Sequence, residues 1–362
     1  MSAEVTVVTV SWEAADLTLQ CLAGLAAQQL DDVHVDVVVV DNGSTDGTAA
    51  RVAAAHPGVH VVRSSTNRGF AGGNNLALRD VRTPWVLLLN NDAVPDPDAI
   101  RTLVHAARRA PADVAALAPT VLLAERFRAA AAGEAPDVVG PDGRWVSDPD
   151  GDVRLVNSTG NEIRTDGFGV DRGWLADATR HDPPSEVFGF SGAAALLRTA
   201  ALRDVGLFDE RFFMYYEDSD LSWRLRLAGW RVLHCPRAVV SHAHAASSRE
   251  GSDFFVFHDA RNRLAMLTKD ATTGLVVRSL VRFVLTSASL ALRRRRPWRE
   301  TRVRLRVLVS YARMAPGLVL SRCRLRRDAR VARRVVESLL VAPRPTGGYR
   351  PADAPTAKKG AR

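Results

Sequence analysis

Apolar, β-branched runs recur at residues 5–10, 33–40, 59–62 and 85–89, with helix-compatible stretches between them. The block Val37-Val38-Val39-Val40 has no polar alternation, the pattern of a strand buried on both faces of a parallel sheet. Between the first two runs, residues 14–29 carry Leu17, Leu22, Leu25 and Ala26 near helical spacing. Strand and helix alternate this way to about residue 120, predicting one half of a doubly wound α/β fold. From 125 to 184 the pattern lapses into Gly, Pro, Asp and Asn, with Gly140-Pro141-Asp142-Gly143 and Asp148-Pro149-Asp150-Gly151 as turn signals. A long excursion of short strands and loops is expected there. Order returns with a strand over 187–197, a short helix from Thr199, and a helix through Leu225 and Leu227 ending near Gly229. Residues 275–292 and 301–340 read as helices in which Arg278, Arg282, Arg302, Arg306 and Arg313 alternate with Leu and Val. From Pro343 the composition predicts disorder.

Charge divides the chain at the same place as the pattern. Residues 1–274 hold 26 Lys/Arg against 36 Asp/Glu, whereas residues 275–362 hold 23 against 4. A mildly acidic body with a strongly basic C-terminal region points to an anionic partner for that region. Nucleic acid is disfavoured, because aromatic residues are not interleaved there for base stacking. Cys21, Cys235 and Cys323 are scattered and odd in number, which suggests neither a disulfide framework nor a metal knuckle and fits a reducing, cytoplasmic setting. No basic stretch or signal-like apolar segment precedes the first strand run. In the basic region the longest charge-free apolar piece is 283–292, too short to span a bilayer, so the expected membrane contact is peripheral.

In an open α/β sheet, ligands bind beyond the carboxyl ends of the strands. After 37–40 comes Asp41-Asn42-Gly43-Ser44-Thr45-Asp46-Gly47-Thr48, where Asp41 and Asn42 could hydrogen-bond a base or sugar; a Gly-assisted turn with Asp46 capping the next helix accounts for the same residues. After 59–62 comes Asn67-Arg68-Gly69-Phe70-Ala71-Gly72-Gly73-Asn74-Asn75, read as a loop whose glycines admit close backbone approach and whose Arg68 suits phosphate, or as a structural turn. After 85–89, Asn90-Asn91-Asp92 places an acid where a hard divalent cation could bind. The densest cluster is Glu217-Asp218-Ser219-Asp220, set directly behind Phe212-Phe213-Met214-Tyr215-Tyr216. Carboxylates beside aromatic side chains are where desolvation tunes a general base, although acids in a helix first turn also favour the dipole.

Val40-Asp41-Asn42-Gly43-Ser44-Thr45-Asp46-Gly47, the segment 67–75, Leu87-Leu88-Leu89-Asn90-Asn91-Asp92 and Tyr216-Glu217-Asp218-Ser219-Asp220-Leu221 together resemble glycosyltransferase family 2, and within it the rhamnosyltransferase-like branch. The resemblance covers roughly residues 5–269, with the motifs in the expected order. It implies a GT-A fold, that is, a Rossmann-like mixed sheet flanked by helices that binds a nucleotide sugar. It further implies an inverting transferase using Mg²⁺ or Mn²⁺. By that similarity Asp41 and Asn42 lie at the nucleotide, and Arg68, Gly72 and Asn74 lie along it. Asn90 stands where the family's Asp-x-Asp motif has its first acid, leaving Asp92 as the charged metal ligand. His242 matches a further ligand, with His244 as a nearby substitute; as residues two apart on a strand they also read as surface polar groups. Asp218 matches the catalytic base, Glu217 an acceptor contact, and Asp220 is read as the helix cap. Ser191-Gly192-Ala193 matches the acceptor side. Asn157-Ser158-Thr159-Gly160 and Asp171-Arg172-Gly173 resemble the branch without an assigned role, and His258-Asp259-Ala260-Arg261-Asn262-Arg263 is assigned to the diphosphate, the lipid acceptor or structural salt bridges.

The expected organisation is a catalytic domain over 1–274 with an insertion-like excursion at 125–184, a basic amphipathic membrane-associating extension over 275–342, and a disordered tail over 343–362. The expected reaction moves rhamnose from dTDP-rhamnose to a polyprenyl-diphosphate-linked or nascent cell-envelope glycan at the anionic inner face of the membrane. The competing readings are a transferase for another UDP-, GDP- or dTDP-sugar, a non-catalytic glycan- or lipid-binding scaffold favoured by Asn90, and a nucleotidyltransferase, which gives no reason for a base at Asp218.

Overall fold

The computed structural model describes residues 3–244, 251–292, 298–344 and 348–349, the last pair as backbone only. The first part alternates β1 (Val5–Ser11), α1 (Ala15–Ala26), β2 (Val35–Asp41), α2 (Thr48–Ala55), β3 (His60–Arg63), α3 (Gly69–Leu78), β4 (Trp85–Leu89), β5 (Ala93–Pro95), α4 (Ala99–Arg109) and β6 (Val114–Leu123). Short strands follow: β7 (Phe127–Ala129), β8 (Val138–Gly140), β9 (Gly143–Ser147), β10 (Val156–Ser158), β11 (Asn161–Ile163), β12 (Gly169–Asp171) and β13 (Glu186–Val187). The chain then forms β14 (Ala194–Arg198), α5 (Thr199–Val205), a 3-10 turn (Glu210–Phe212), α6 (Glu217–Leu227), β15 (Arg231–His242), α7 (Asp253–Asp270), α8 (Thr273–Leu292), α9 (Trp298–Asp328) and α10 (Arg333–Glu337).

The main sheet has the order β13-β15-β6-β14-β4-β1-β2-β3. Strands β1 to β4 pair in parallel, β14 runs antiparallel between β4 and β6, and β15 is parallel to β6. This is the mixed sheet of a GT-A fold. Its apolar runs are unbroken because both faces are covered. Val5 and Val7 with Trp85, Leu87 and Leu89 pack against α1 and α4 through Leu22, Leu25, Ile100 and Leu103. Val8 with Val86 and Leu88 packs on the other side against Leu78, Leu202, Leu221 and Leu225 of α3, α5 and α6. Helix α6 is buried all round, because Trp223 and Leu227 enter a further core with Ala265, Met266 and Leu267 of α7 and Leu318 of α9.

Three local expectations change. The Gly-rich segment 67–75 is not a loop: from Gly69 it is helix α3. Its glycines are needed for packing; a Cβ on Gly73 would sit 2.7 Å from Val10 Cγ1, and one on Gly69 only 2.2 Å from the Phe213 carbonyl oxygen. The strand expected over 187–197 is two strands, β13 and β14, separated by a turn that carries Gly189 and Gly192. Helix α8 is 20 residues long and apolar enough to cross a membrane by length and composition, whereas the charge-free count measured only its second half because Arg278 and Arg282 interrupt the run. Leu275, Ser279 and Phe283 seat α8 on the body, and Arg282 reaches Asp166 at 3.4 Å. The Arg293–Arg296 run and most of the tail expected to be disordered lie outside the described residues.

Candidate active site

Strand β2 ends in Asp41 and Asn42, both buried. Asp41 Oδ1 accepts the Ser44 amide at 2.9 Å, and its Oδ2 lies 3.8 Å from Arg63 Nε. Asn42 is fully engaged by the fold: Nδ2 donates to Asn67 Oδ1 (3.1 Å) and the Gly69 carbonyl (3.0 Å), and Oδ1 accepts the Arg68 amide (3.0 Å). Asn42 thereby pins the entrance of α3. Asn74 is likewise buried and donates to the Phe70 carbonyl inside its own helix at 2.9 Å, so it too serves the fold. Gly72 is helical, with its Cα face closed by Arg68 Cβ, while the Arg68 side chain is exposed at the start of α3. Asp46 behaves as expected, accepting the Thr48 amide at 3.1 Å and, beyond expectation, the Ala15 amide of α1 at 2.9 Å.

Beyond β4 the sheet brings Asn90, Asp92 and His242 together, because β5 pairs with β15 and sets His242 opposite Ala93. His242 Nε2 lies 3.1 Å from Asp92 Oδ1 and 3.4 Å from Asn90 Nδ2. Its Nδ1 is 2.6 Å from Asn157 Oδ1. Burial pushes the Asp92 pKa up, but His242, a local backbone amide and His244 together hold it below the usual carboxylate range. Asp92 Oδ1 is buried without a hydrogen-bond partner, since the approach of His242 lacks hydrogen-bond geometry. A carboxylate oxygen so placed beside an imidazole nitrogen fits a divalent cation: adjacent ligands of an octahedral ion bound at ~2.1 Å lie about 3 Å apart. Asp92 and His242 would supply two ligands to such an ion, with substrate oxygens and water among the others.

The acidic cluster is presented by a strained loop. Phe213, Tyr215 and Tyr216 all hold positive φ, at 67°, 71° and 68°, in a conformation that costs a non-glycine residue about 1–3 kcal/mol. Asn262, 0% exposed in α7, holds this loop by donating through Nδ2 to the carbonyls of Phe212, Met214 and Tyr215, each at 2.8 Å. Arg261 adds bonds to the carbonyls of Arg211 (3.1 Å) and Phe212 (3.0 Å), which gives the 258–263 segment a structural role. Helix α6 then opens at Glu217. Asp218 Oδ2 accepts from Asn161 Nδ2 (2.9 Å) and the Gly192 amide (3.0 Å), and Oδ1 accepts the Ser219 amide (2.6 Å). Burial raises the Asp218 pKa and these donors partly offset the rise. Glu217 is 6% exposed with Oε2 unpartnered; burial, and then the Asp218 charge, push it well above the usual range.

Asp220 is not the cap. The helix begins three residues earlier, behind Tyr216 in the left-handed region, so Asp220 lies on the inward face, 0% exposed. It pairs with Arg224 Nε (2.9 Å) and Lys269 Nζ (2.5 Å), and Lys269 also reaches Asp209 (2.7 Å). Asp171, for which the sequence suggested no role, is driven up to about 6 by burial and by the nearby Asp218 charge. Asn157 and Asn161 also went without a role, and Asn262 was read only as part of a segment assigned to the diphosphate, the lipid acceptor or salt bridges. The sequence signal is clearest at Asn262, a polar amide just before the apolar Leu264, Ala265, Met266 and Leu267.

Comparison with known proteins agrees with this architecture. Residues 6–163 match the family Glycosyl transferase family 2, and residues 168–266 match Glycosyl transferase family group 2. The chain is 30% identical over 225 residues to the N-acetylglucosaminyl-diphospho-decaprenol L-rhamnosyltransferase of Mycobacterium tuberculosis, covering 59% of this chain and 68% of that one. It is 28% identical over 264 residues to the pre-mycofactocin glycosyltransferase of the same organism, covering 71% of this chain and 48% of the other. Among solved structures, GalNAc-T7 with UDP, GalNAc and Mn²⁺ shares the fold at a TM-score of 0.53 and 12% identity, covering 74% of this chain and 48% of that one. From the order of its motifs, the mixed sheet that carries them and these matches, the chain belongs to glycosyltransferase family 2.

Proposed function

We propose that the chain is a metal-dependent, inverting glycosyltransferase that moves rhamnose from dTDP-rhamnose to a polyprenyl-diphosphate-linked sugar at the cytoplasmic face of the cell membrane. The observation that carries the reading is Asp218, a half-buried carboxylate with raised pKa, held by Asn161 and Gly192 at the mouth of the sheet. Inversion needs the acceptor hydroxyl to attack the anomeric carbon from the face opposite the diphosphate. As the new C–O bond forms and the bond to the diphosphate breaks, the hydroxyl proton passes to Asp218, base catalysis worth roughly 10²–10⁴ in rate. Glu217, whose pKa burial and then the Asp218 charge raise, lies beside the base as a contact for the acceptor. Asp92 and His242 would hold a divalent ion, which would supply positive charge to offset that of the diphosphate. Asp41 and Arg68 meet the nucleotide.

The name of the 30% identical relative supports both the rhamnosyl donor and an N-acetylglucosaminyl-diphospho lipid as acceptor. The surface of α8 and α9 supports the membrane. Val277, Val281 and Leu285 are exposed on α8, Leu285 at 64%, beside the arginines of a region carrying 23 Lys/Arg against 4 Asp/Glu. Such a face suits anionic lipid, with each basic residue near the surface contributing about 1 kcal/mol.

The test is purified protein given dTDP-rhamnose, UDP-sugars and GDP-sugars in turn, with Mn²⁺ or EDTA and an N-acetylglucosaminyl-diphospho-polyprenol in anionic or neutral vesicles. Rhamnosyl transfer that needs Mn²⁺ and is faster on anionic vesicles is expected. Turnover of another nucleotide sugar alone moves the donor assignment, and no turnover of any of them overturns the enzyme reading in favour of a binding scaffold, the alternative that Asn90 favours. The variant Asp218→Asn should bind dTDP as the parent does while kcat falls by about 10²–10⁴.

A further inference from the structure

The segment 157–161 reaches both halves of the site with side-chain amides. Asn157, on β10, meets His242 Nδ1 at 2.6 Å across the end of β6, the strand that β10 and β15 both pair with. Four residues later Asn161, at the start of β11, gives its Nδ2 to Asp218 Oδ2 at 2.9 Å. A carboxylate only accepts, which fixes the orientation of the Asn161 amide. With Asn157 Oδ1 accepting, the His242 proton sits on Nδ1 and the Nε2 lone pair is turned toward Asp92.

The segment is rigid for reasons independent of either contact. The buried guanidinium of Arg172 donates to Thr159 Oγ1 (3.1 Å), the Thr159 carbonyl (2.9 Å) and the Pro184 and Glu186 carbonyls (2.9 and 3.1 Å). Asn161 and Gly189 exchange backbone hydrogen bonds at 2.8 and 2.9 Å. That pairing ties Asn161 to the turn whose Gly192 amide is the second donor to Asp218 Oδ2. Gly189 allows the turn to lie against α6, since a Cβ there would come within 2.5 Å of Ser222 Oγ.

We propose that segment 157–161 is a positioning bridge: Asn161 orients Asp218 and favours its ionised form, while Asn157 orients His242, so that base and cation site keep one register. The proposal rests on the reading of Asp218 as base. The charged and titratable groups around Asp218 are Glu217 on its own helix, the Tyr216 phenol before it, and Asp171 from β12, which in turn senses His242 and His244. Apart from the donors just named, these neighbours are carboxyl or phenol groups that disfavour the charge, so removing the Asn161 donor has a defined sign.

The test uses the full chain with dTDP-rhamnose and N-acetylglucosaminyl-diphospho-polyprenol, and Mn²⁺ alone as the probe of the cation site. Asn161→Ala is expected to move the acid limb of the kcat/KM profile up by about one pH unit, with the KM for dTDP-rhamnose and the Mn²⁺ affinity unchanged. Asn161→Asp keeps the shape, guards against a packing failure in the alanine variant, and should move the limb further by adding a like charge. Asn157→Ala should weaken Mn²⁺ binding about 10–100-fold, read by electron paramagnetic resonance without sugar, and leave the acid limb in place. An acid limb unmoved in both Asn161 variants, or Mn²⁺ affinity unchanged in Asn157→Ala, overturns the bridge. With Asp218→Asn inactive, that outcome leaves the base reading standing; with Asp218→Asn as active as the parent, base and bridge fall together.

Discussion

At the ends of β2 and β3 the polar side chains are engaged in turns: Asn42 makes three hydrogen bonds, Asp41 takes the Ser44 amide, and Asn74 bonds within its own helix. Around residues 213–220 the reverse holds. Three non-glycine residues keep positive φ, Glu217 Oε2 has no partner, and burial pushes both Glu217 and Asp218 upward. The proposed nucleotide side is thus built from groups that also stabilise the fold. The proposed acceptor side holds costly groups that persist because surrounding structure over-determines them, chiefly Asn262, Arg261 and the buried Asp220–Lys269 pair. Residues that resemble a ligand set at the first side are partly scaffold, and the residues that look like scaffold in α7 hold the chemistry of the second in place.

The sharpest way to break this comparison is to release the strained loop. Asn262→Ala removes the side-chain donor to the Met214 and Tyr215 carbonyls and one of the two to the Phe212 carbonyl, and should cost about 3 kcal/mol in urea unfolding, with kcat down on the order of tenfold or more while dTDP affinity holds. Loss of stability with full kcat, measured below the melting range, would show that the loop does not need its native geometry for transfer. On the nucleotide side, Asn42→Ala should lower stability by about 2 kcal/mol, by freeing the Arg68 turn, while kcat at saturating donor changes little. A collapse of kcat with stability intact would return Asn42 to the ligand set.

The smallest expected effect concerns Asp270, 0% exposed at the end of α7, where burial and then the Asp220 charge raise the pKa well above the usual value. Because the folded-state pKa lies above the unfolded one of about 3.9, the stabilising contribution of the protonated form is complete below that pH and fades as pH rises through the folded value. Asp270→Asn cannot ionise, so its Tm should depend less on pH above about 4 and exceed the parent's by about 2–4 °C at pH 8. A parallel pair of Tm–pH curves would mean that Asp270 is ionised in the folded protein and paired with Lys269 or Arg224.

Much of the sheet was legible in the chain. The runs at 5–10 and 85–89 became β1 and β4 almost to the residue, because a strand buried on both faces needs an uninterrupted apolar run and little else in a globular chain does. The Gly-rich stretch at 67–75 was misread for a physical reason: glycine is a poor helix former in isolation, yet α3 must lie so close to Val10 and Phe213 that no Cβ fits. Asp220 was misplaced because its role depends on where the helix starts. One turn further from the N-terminus, the same acid is an inward ion pair rather than a cap.

Local pattern and composition by themselves determined the strand-helix alternation, the basic character of the C-terminal region, and the positions of Asp41, Asp92 and Asp218 at element ends, since each follows from periodicity, charge or short-range spacing. Only the tertiary structure decided which amides serve which carboxylates. Asn161 meets Asp218 across 57 positions of sequence, Asn157 meets His242 across 85, and Asn262 meets the Met214 carbonyl across 48. Contacts at such separations leave no periodic trace, because a hydrogen bond is set by approach in space and a lone asparagine reads the same whether it faces solvent or a buried acid.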